Sequence, residues 1–429
     1  MVNEEGILKM NGGPKTHSMI RRAIAAAAAI AAIPTITASA ADWPQWRGPA
    51  RDGIAAEPFP AQLPARPTAV WRKPIGHGYA APVVAAGKLL FLDDSTGQET
   101  ARCLDAATGK ELWSVAVGES FADEFEPGPR CAPLVDGDRV YVQTCRGEFR
   151  CLALADGATR WRFHFADFGM VWVADKSGGP GAASRRGNSG SPVVEGDRII
   201  IPIGSADGAC LGAFDKRTGK LAWKSQNDLT TYSSLMAGKL AGRRQVVAAT
   251  CDGLLAVAVE TGAPLWRVPF KTGANRNVLT PILGDDTVTF ASHTTGLQCQ
   301  RMVADGAGIK PVEVWFNRQM RINLPTPVAV GGHLYGHGEN KNFVCVDRAT
   351  GKVAWSRSGF GEVTSTIASG KQLLALTDRG EVLLLAADPV RYEETGRFQA
   401  CGKTFVHPAF SDGVVYVRDS RELVAWKIR

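Results

Sequence analysis

The chain has 429 residues, of which 45% are hydrophobic and 21% charged, with a formal net charge of +7. Those proportions fit an ordinary soluble protein. The positive charge is small and scattered, with no basic run, so nucleic acid is not indicated as a partner.

Residues 1–41 read as an export leader. Arg21-Arg22 is a positive n-region, residues 23–33 form a short apolar run, and Ala38-Ser39-Ala40 is a small-residue cleavage pattern. Eleven apolar residues are too few to span a bilayer. A start at Met19 would give a leader beginning M-I-R-R, and the Arg pair also admits twin-arginine export. Removing the leader leaves a net charge of about +5 and no Cys before Cys103, which excludes a lipid-modified N-terminal Cys. The mature protein is therefore expected in the periplasm or outside the cell, with no transmembrane segment and no lipid anchor. Residues 42–67 begin D-W-P-Q-W-R-G-P-A-R-D-G and stay rich in proline to Pro67. Proline denies regular ladders, so this is expected to be an extended lead-in lying on the surface of the repeats, anchored by Trp43 and Trp46.

From residue 68 to the end a repeat takes over. The stretch L-D-A-A-T-G-K-E-L-W (104–113) reads as a strand ending at Asp105, a tight turn through Thr108-Gly109, and a strand carrying Trp113. It recurs as F-D-K-R-T-G-K-L-A-W (214–223), V-A-V-E-T-G-A-P-L-W (257–266) and V-D-R-A-T-G-K-V-A-W (346–355), with a worn copy at 152–161. Gly109, Gly219, Gly262 and Gly351 stand where the hairpin needs positive φ. Spacing of 40 to 60 residues between copies marks a repeat architecture. Inner strands begin at Pro82, Pro133, Pro192, Ser234, Pro281, Pro327, Thr366 and Pro408. Fourth-strand landmarks are Trp71, Trp113, Trp161, Trp223, Trp266, Trp315, Trp355 and Phe398. The first landmark precedes any inner strand, and the last unit stops one strand short. Pairing the two closes a ring and removes its exposed edges. The expected fold is an all-β, eight-bladed β-propeller of four-stranded antiparallel blades; a seven-bladed ring would need 365–400 not to be a blade. Cys103, Cys151 and Cys345 share one repeat position, which suits a small buried residue, although a disulfide is not excluded by spacing.

These repeats resemble the pyrrolo-quinoline quinone (PQQ) type of propeller repeat over about 68–429. That superfamily holds quinoprotein alcohol dehydrogenases and also non-enzymatic propellers similar to the outer-membrane assembly factor BamB. The lead-in D-W-P-Q-W-R-G-P looks like one found on exported members. The repeat defines the fold and leaves the chemistry open.

Propeller ligands sit where outer strands cross to the next inner strand. The loops there include residues 119–130, which are acidic and aromatic, the long segment 166–190, N-R-N (275–277) and N-R-Q-M-R-I-N (317–323). Asn188, Asn277 and Asn323 each fall four residues before an inner-strand proline, so equivalent positions would bring three amides to the channel mouth. Arg130, Arg186, Arg276 and Arg321 lie close by and suit an anionic or carboxylate-bearing ligand. The competing reading is that each Asn caps its turn by bonding its own backbone.

By the resemblance, a PQQ dehydrogenase implies calcium, an Asp base and an adjacent Cys pair. Asp123, Glu124 and Glu126 supply carboxylates and Trp172 a stacking face, but no two cysteines are adjacent and no C-x-x-C-H heme signature occurs. G-N-S-G-S (187–191) lacks the context of a nucleophile elbow, and the histidines are dispersed apart from His333 and His337. The reading is thus an exported binding or scaffold propeller for a protein or extracellular polymer, with no catalytic residue assigned. The alternatives are a PQQ-dependent alcohol or polyol dehydrogenase with calcium and a divergent site, and a polysaccharide-binding propeller.

Overall fold

The computed structural model describes residues 42–170, 186–272, 276–306 and 308–429. The leader assignment at 1–41 and the stacking role considered for Trp172 lie outside them. The described residues form eight four-stranded antiparallel sheets. Seven are contiguous: blades 1 to 7 span 83–119, 134–164, 193–225, 236–269, 282–317, 328–357 and 364–399. Blade 8 is composite, with Thr68–Pro74 as the outer strand on Glu422–Lys427, Val414–Arg418 and Ala409–Ser411. The closing pairing runs from Thr68↔Lys427 to Pro74↔Glu422. The protein is an all-β, eight-bladed propeller, as the offset between first and last landmarks requires. Residues 364–399 form a full blade, and Phe398 packs edge-on against Trp426 at 5.1 Å.

The repeat motif explains how the blades adhere. In Asp105, Asp215 and Asp347 one carboxylate oxygen accepts both the backbone N–H and the hydroxyl of the Thr three residues on, at 2.7–2.8 Å. This fixes the turn and puts the next glycine in the left-handed region, with φ of 70° at Gly109 and Gly351. The bare glycine then receives the indole of the preceding blade: Trp71 lies on Gly109, Trp161 on Gly219, Trp223 on Gly262 and Trp315 on Gly351. Each indole N–H donates to a carbonyl of the same turn, such as Trp71 to Ala106 O at 2.9 Å and Trp315 to Arg348 O at 2.8 Å. Trp266 departs from the pattern because the blade 5 hairpin (Gly296–Asp305 and Gly308–Asn317) carries no T-G turn. Its indole bonds Gln245 Oε1 within its own blade instead. Across the strand from the Trp a small residue is needed, and Cys103, Cys151, Cys299 and Cys345 pair there with Trp113, Trp161, Trp315 and Trp355. All nine cysteines are buried and outside any disulfide.

The lead-in takes a different path from the expected one: it crosses the axis of the ring. Trp43 exchanges backbone bonds with Val84 of blade 1 at 2.7 and 2.9 Å, and Pro44 O accepts from Val135 N of blade 2. Further on, Ala55 donates to Ala368 O of blade 7, and Glu57 accepts from Gly413 N of blade 8. Two buried arginines reach three of the four remaining walls. Arg51 donates to Pro192 O at 2.6 Å and Leu235 O at 2.9 Å, at the entrances to blades 3 and 4. Arg47 donates to Pro327 O of blade 6 at 2.9 Å and to Thr326 O. The reason is the unpaired inner edge. Innermost strands have no neighbour toward the axis, so their carbonyls converge there without donors, and burial requires that they be satisfied. A guanidinium supplies five donors in one plane and meets several at once. Trp43 is buried and stacks on His407 at 6.3 Å. Burial, then the Arg47 charge, hold the His407 imidazole down at about 3, so it packs as a neutral ring.

The Trp-on-Gly contact leaves no room for a side chain. A Cβ at residue 351 would stand 2.3 Å from Trp315 Cε3, on a backbone already at positive φ. Gly351→Ala is expected to lower stability by roughly 3 kcal/mol in chemical denaturation. Gly332→Ala, also at positive φ but with open space around it, is the control and should cost much less.

Candidate binding site at the loop face

Pairing register makes Val83, Leu134, Val193, Met236, Ile282, Val328, Ile367 and Ala409 equivalent residues of the eight inner strands. The chain enters each strand from one face, and there a cavity of about 470 Å³ opens on the axis. Four residues before each reference position stand Tyr79, Arg130, Ser189, Tyr232, Val278, Leu324, Val363 and Phe405, and all eight line the cavity. Two residues before it, Ala132, Ser191, Ser234, Thr280, Thr326 and Ser365 form the next layer down. This is the period-two alternation of extended backbone, carried eightfold around an axis. The hydroxyls of that layer link neighbouring blades, since Ser234 Oγ accepts from Ser191 N and Thr326 Oγ1 from Thr280 N, both at 3.0 Å. Trp46 of the lead-in also contributes to the lining.

The three asparagines sit five residues before the reference positions, on the other side of the alternation. Asn188 Nδ2 donates to Cys145 O at 2.9 Å and Asn277 Nδ2 to Thr250 O at 2.7 Å, in each case at the end of the second strand of the preceding blade. They tie blade to blade, so the structure turns two of the three amides away from the mouth. Asn323 alone lines the cavity, where its Oδ1 accepts from Arg276. Arg130, Arg186 and Arg276 line it as well, whereas Arg321 is exposed outside it. The lining falls one residue further on, three before each inner-strand proline, at positions such as Ser189, Val278 and Leu324 that carry no motif of their own.

The charges are unevenly matched. Asp123 is nearly buried and receives Arg130 at 2.8 Å and Arg186 at 3.3 Å, while Glu124 also pairs with Arg186. Arg130 lies over Tyr79 and Phe121 at 5.2 and 5.1 Å, and Arg186 over Phe125 at 4.5 Å. Arg276 has no carboxylate partner among the described residues. Burial pushes its guanidinium below the ordinary value, Tyr232 opposes this, and Arg186 adds repulsion.

The carboxylates named in the sequence are thus already engaged, with Glu126 on His77 Nδ1 at 2.7 Å. Calcium takes six to eight oxygen ligands, usually several of them carboxylate, whereas Glu362 is the one carboxylate among the described residues that line this cavity, and it pairs with Lys341. Among the described residues no three His, Cys, Asp or Glu side chains are grouped to hold a metal. These residues do not fit a calcium–PQQ cradle. His337 Nε2 faces Gly361 O at 3.1 Å and His333 faces Asp347 at 3.8 Å, so the two do not converge.

Ring, repeat and mouth together define a PQQ-type propeller with a ligand-sized cavity on its loop face. The chain belongs to the family described as outer membrane protein assembly factor BamB, which it matches over residues 64–202 and 171–357. It is 25% identical over 313 residues to that factor from Burkholderia pseudomallei, covering 65% of this chain and 78% of the relative. In three dimensions it is similar to BamB from Moraxella catarrhalis, with a TM-score of 0.57 at 16% identity, covering 85% of this chain and 98% of the other. A computationally designed protein, Ika8, aligns with a TM-score of 0.58 at 12% identity over 83% of this chain and 98% of its own. No helix among the described residues is long and apolar enough to cross a membrane.

One buried acid ties this face together. Glu99 of blade 1 accepts Cys145 N at 3.0 Å, and Cys145 O accepts Asn188 of the next blade, which links three blades in series. Burial raises the Glu99 carboxyl to about 7, against the pull of the Cys145 N–H. The folded protein therefore holds this proton more tightly than the unfolded chain. The associated stability is complete below the ordinary carboxyl value and is lost as pH rises toward 7, by on the order of 3 kcal/mol. Glu99→Gln should flatten that part of the pH–stability curve, so that the variant gains on the parent between pH 5 and 8. An unchanged slope would remove Glu99 as its source.

Proposed function

We propose that the protein is an exported, non-catalytic scaffold that holds a segment of a partner protein in the loop-face cavity, in the outer-membrane assembly role its relatives' name describes. The observation that supports this most directly is the eightfold lining. Every blade contributes the residue four before its inner strand, and six of the eight are aromatic or aliphatic. Such a mouth suits an apolar segment with a few polar contacts to fix its orientation. The engaged state of Asp123, Glu124 and Glu126 argues against the dehydrogenase alternative, because each already serves a neighbouring cation. A periplasmic location follows from this role and from the leader.

Photo-cross-linking tests the reading. A benzophenone amino acid at Tyr232 or Val363 in the rim should give discrete protein adducts in envelope preparations, and one at Lys110 in a turn of the opposite face should not. Adducts at Lys110 alone, or no adducts at the rim, would reject the scaffold role of this face.

A further inference from the structure

Of the three guanidinium groups in the cavity, Arg130 and Arg186 are neutralised by Asp123 and Glu124. Arg276 is different. Its guanidinium donates one Nη2–H to the neutral Asn323 Oδ1, and its Nε is buried without a partner. The cavity it faces is also lined by Val278, Leu324 and Val363. The carboxylate of Glu362 also lines the cavity but pairs with Lys341, so among the described residues Arg276 has no counter-charge. A half-buried cation in that state, next to a second cation and apolar surface, is unfavourable in the empty protein. It becomes favourable when a ligand brings one negative charge to the Nη edge and an apolar body to the wall.

We infer that Arg276 anchors a carboxylate borne on an apolar peptide segment, with Asn323 holding the guanidinium in place; this rests on the scaffold reading above. Because the anchor carries one unmatched charge, a monoanionic carboxylate is the matching group. The apolar wall explains why a small hydrated anion would be a poorer occupant.

The test uses the purified protein, 15N-labelled at arginine, and follows the side-chain resonance that disappears in Arg276→Gln. Titration with 3-phenylpropanoate should shift that resonance saturably, with an apparent affinity at least tenfold above that of 3-phenylpropanamide and of inorganic phosphate. NMR detects millimolar binding, so a silent resonance up to 50 mM carboxylate would overturn the proposal. Equal effects of the amide would also overturn it, as would tighter binding of phosphate. As a second readout, Arg276→Met keeps the stem and removes the unmatched charge. It should raise the melting temperature while abolishing the carboxylate preference; a lower melting temperature with the preference intact contradicts the assignment. Rim cross-links report separately on the scaffold role. Their persistence with no carboxylate effect would sink the anion anchor alone.

Discussion

The structure depends on one contact, made at five of its eight junctions: the indole of one blade laid on the turn glycine of the next. It works because three local requirements coincide: an Asp that ties down its turn, a glycine that accepts positive φ, and a Trp whose N–H finds the turn carbonyl. The indole buries a large apolar area, and its single donor gives the contact a fixed direction. Repeated around the chain it sets the rotation between blades, and a fixed rotation permits only certain closed rings. Where the turn is lost, as in the long hairpin of blade 5, Trp266 turns inward to Gln245 and that junction relies on apolar packing instead.

A ring of eight has a wide axis, and the inner strands present their unpaired edges to it. The lead-in answers that constraint. Between residues 43 and 57 it reaches seven of the eight blades: blades 1, 2 and 7 through its backbone, blades 3, 4 and 6 through arginine forks, and blade 8 through the Glu57 carboxylate. Gly48 and Gly53 let it turn between those contacts at positive φ, with Gly48 packed directly under Trp43. By filling the channel the lead-in also sets the depth of the cavity and brings Trp46 into its lining. Binding face and plug are thus two consequences of one geometric fact.

Much of this was legible in the sequence. The T-G-x-x-x-W spacing gave the blades, and the mismatch between a spare first landmark at Trp71 and a missing last strand gave the closure that Thr68–Pro74 makes with Glu422–Lys427. The path of the lead-in was not legible, because Arg47 and Arg51 bond backbone carbonyls, which look the same at every residue. Proline content described its local shape and said nothing about where it lies. At the mouth, Asn188 and Asn277 were the visible pattern, yet strand alternation turns them toward the preceding blade, while the lining falls to a set as varied as Tyr79, Ser189 and Leu324. Arg276 stood out only once its neighbours were shown to be paired.

The lead-in is an integral part of the ring, and backbone hydrogen exchange measures that directly. If residues 43–55 cross the axis, the amides of Trp43 and Ala55 should exchange as slowly as those of Val84 and Ala368, the partners they bond. Rapid exchange at Trp43, Ala55, Val84 and Ala368, with the amides of the blade 1 strand Lys88–Asp94 still protected, would place the segment outside the channel and leave the cavity without its floor.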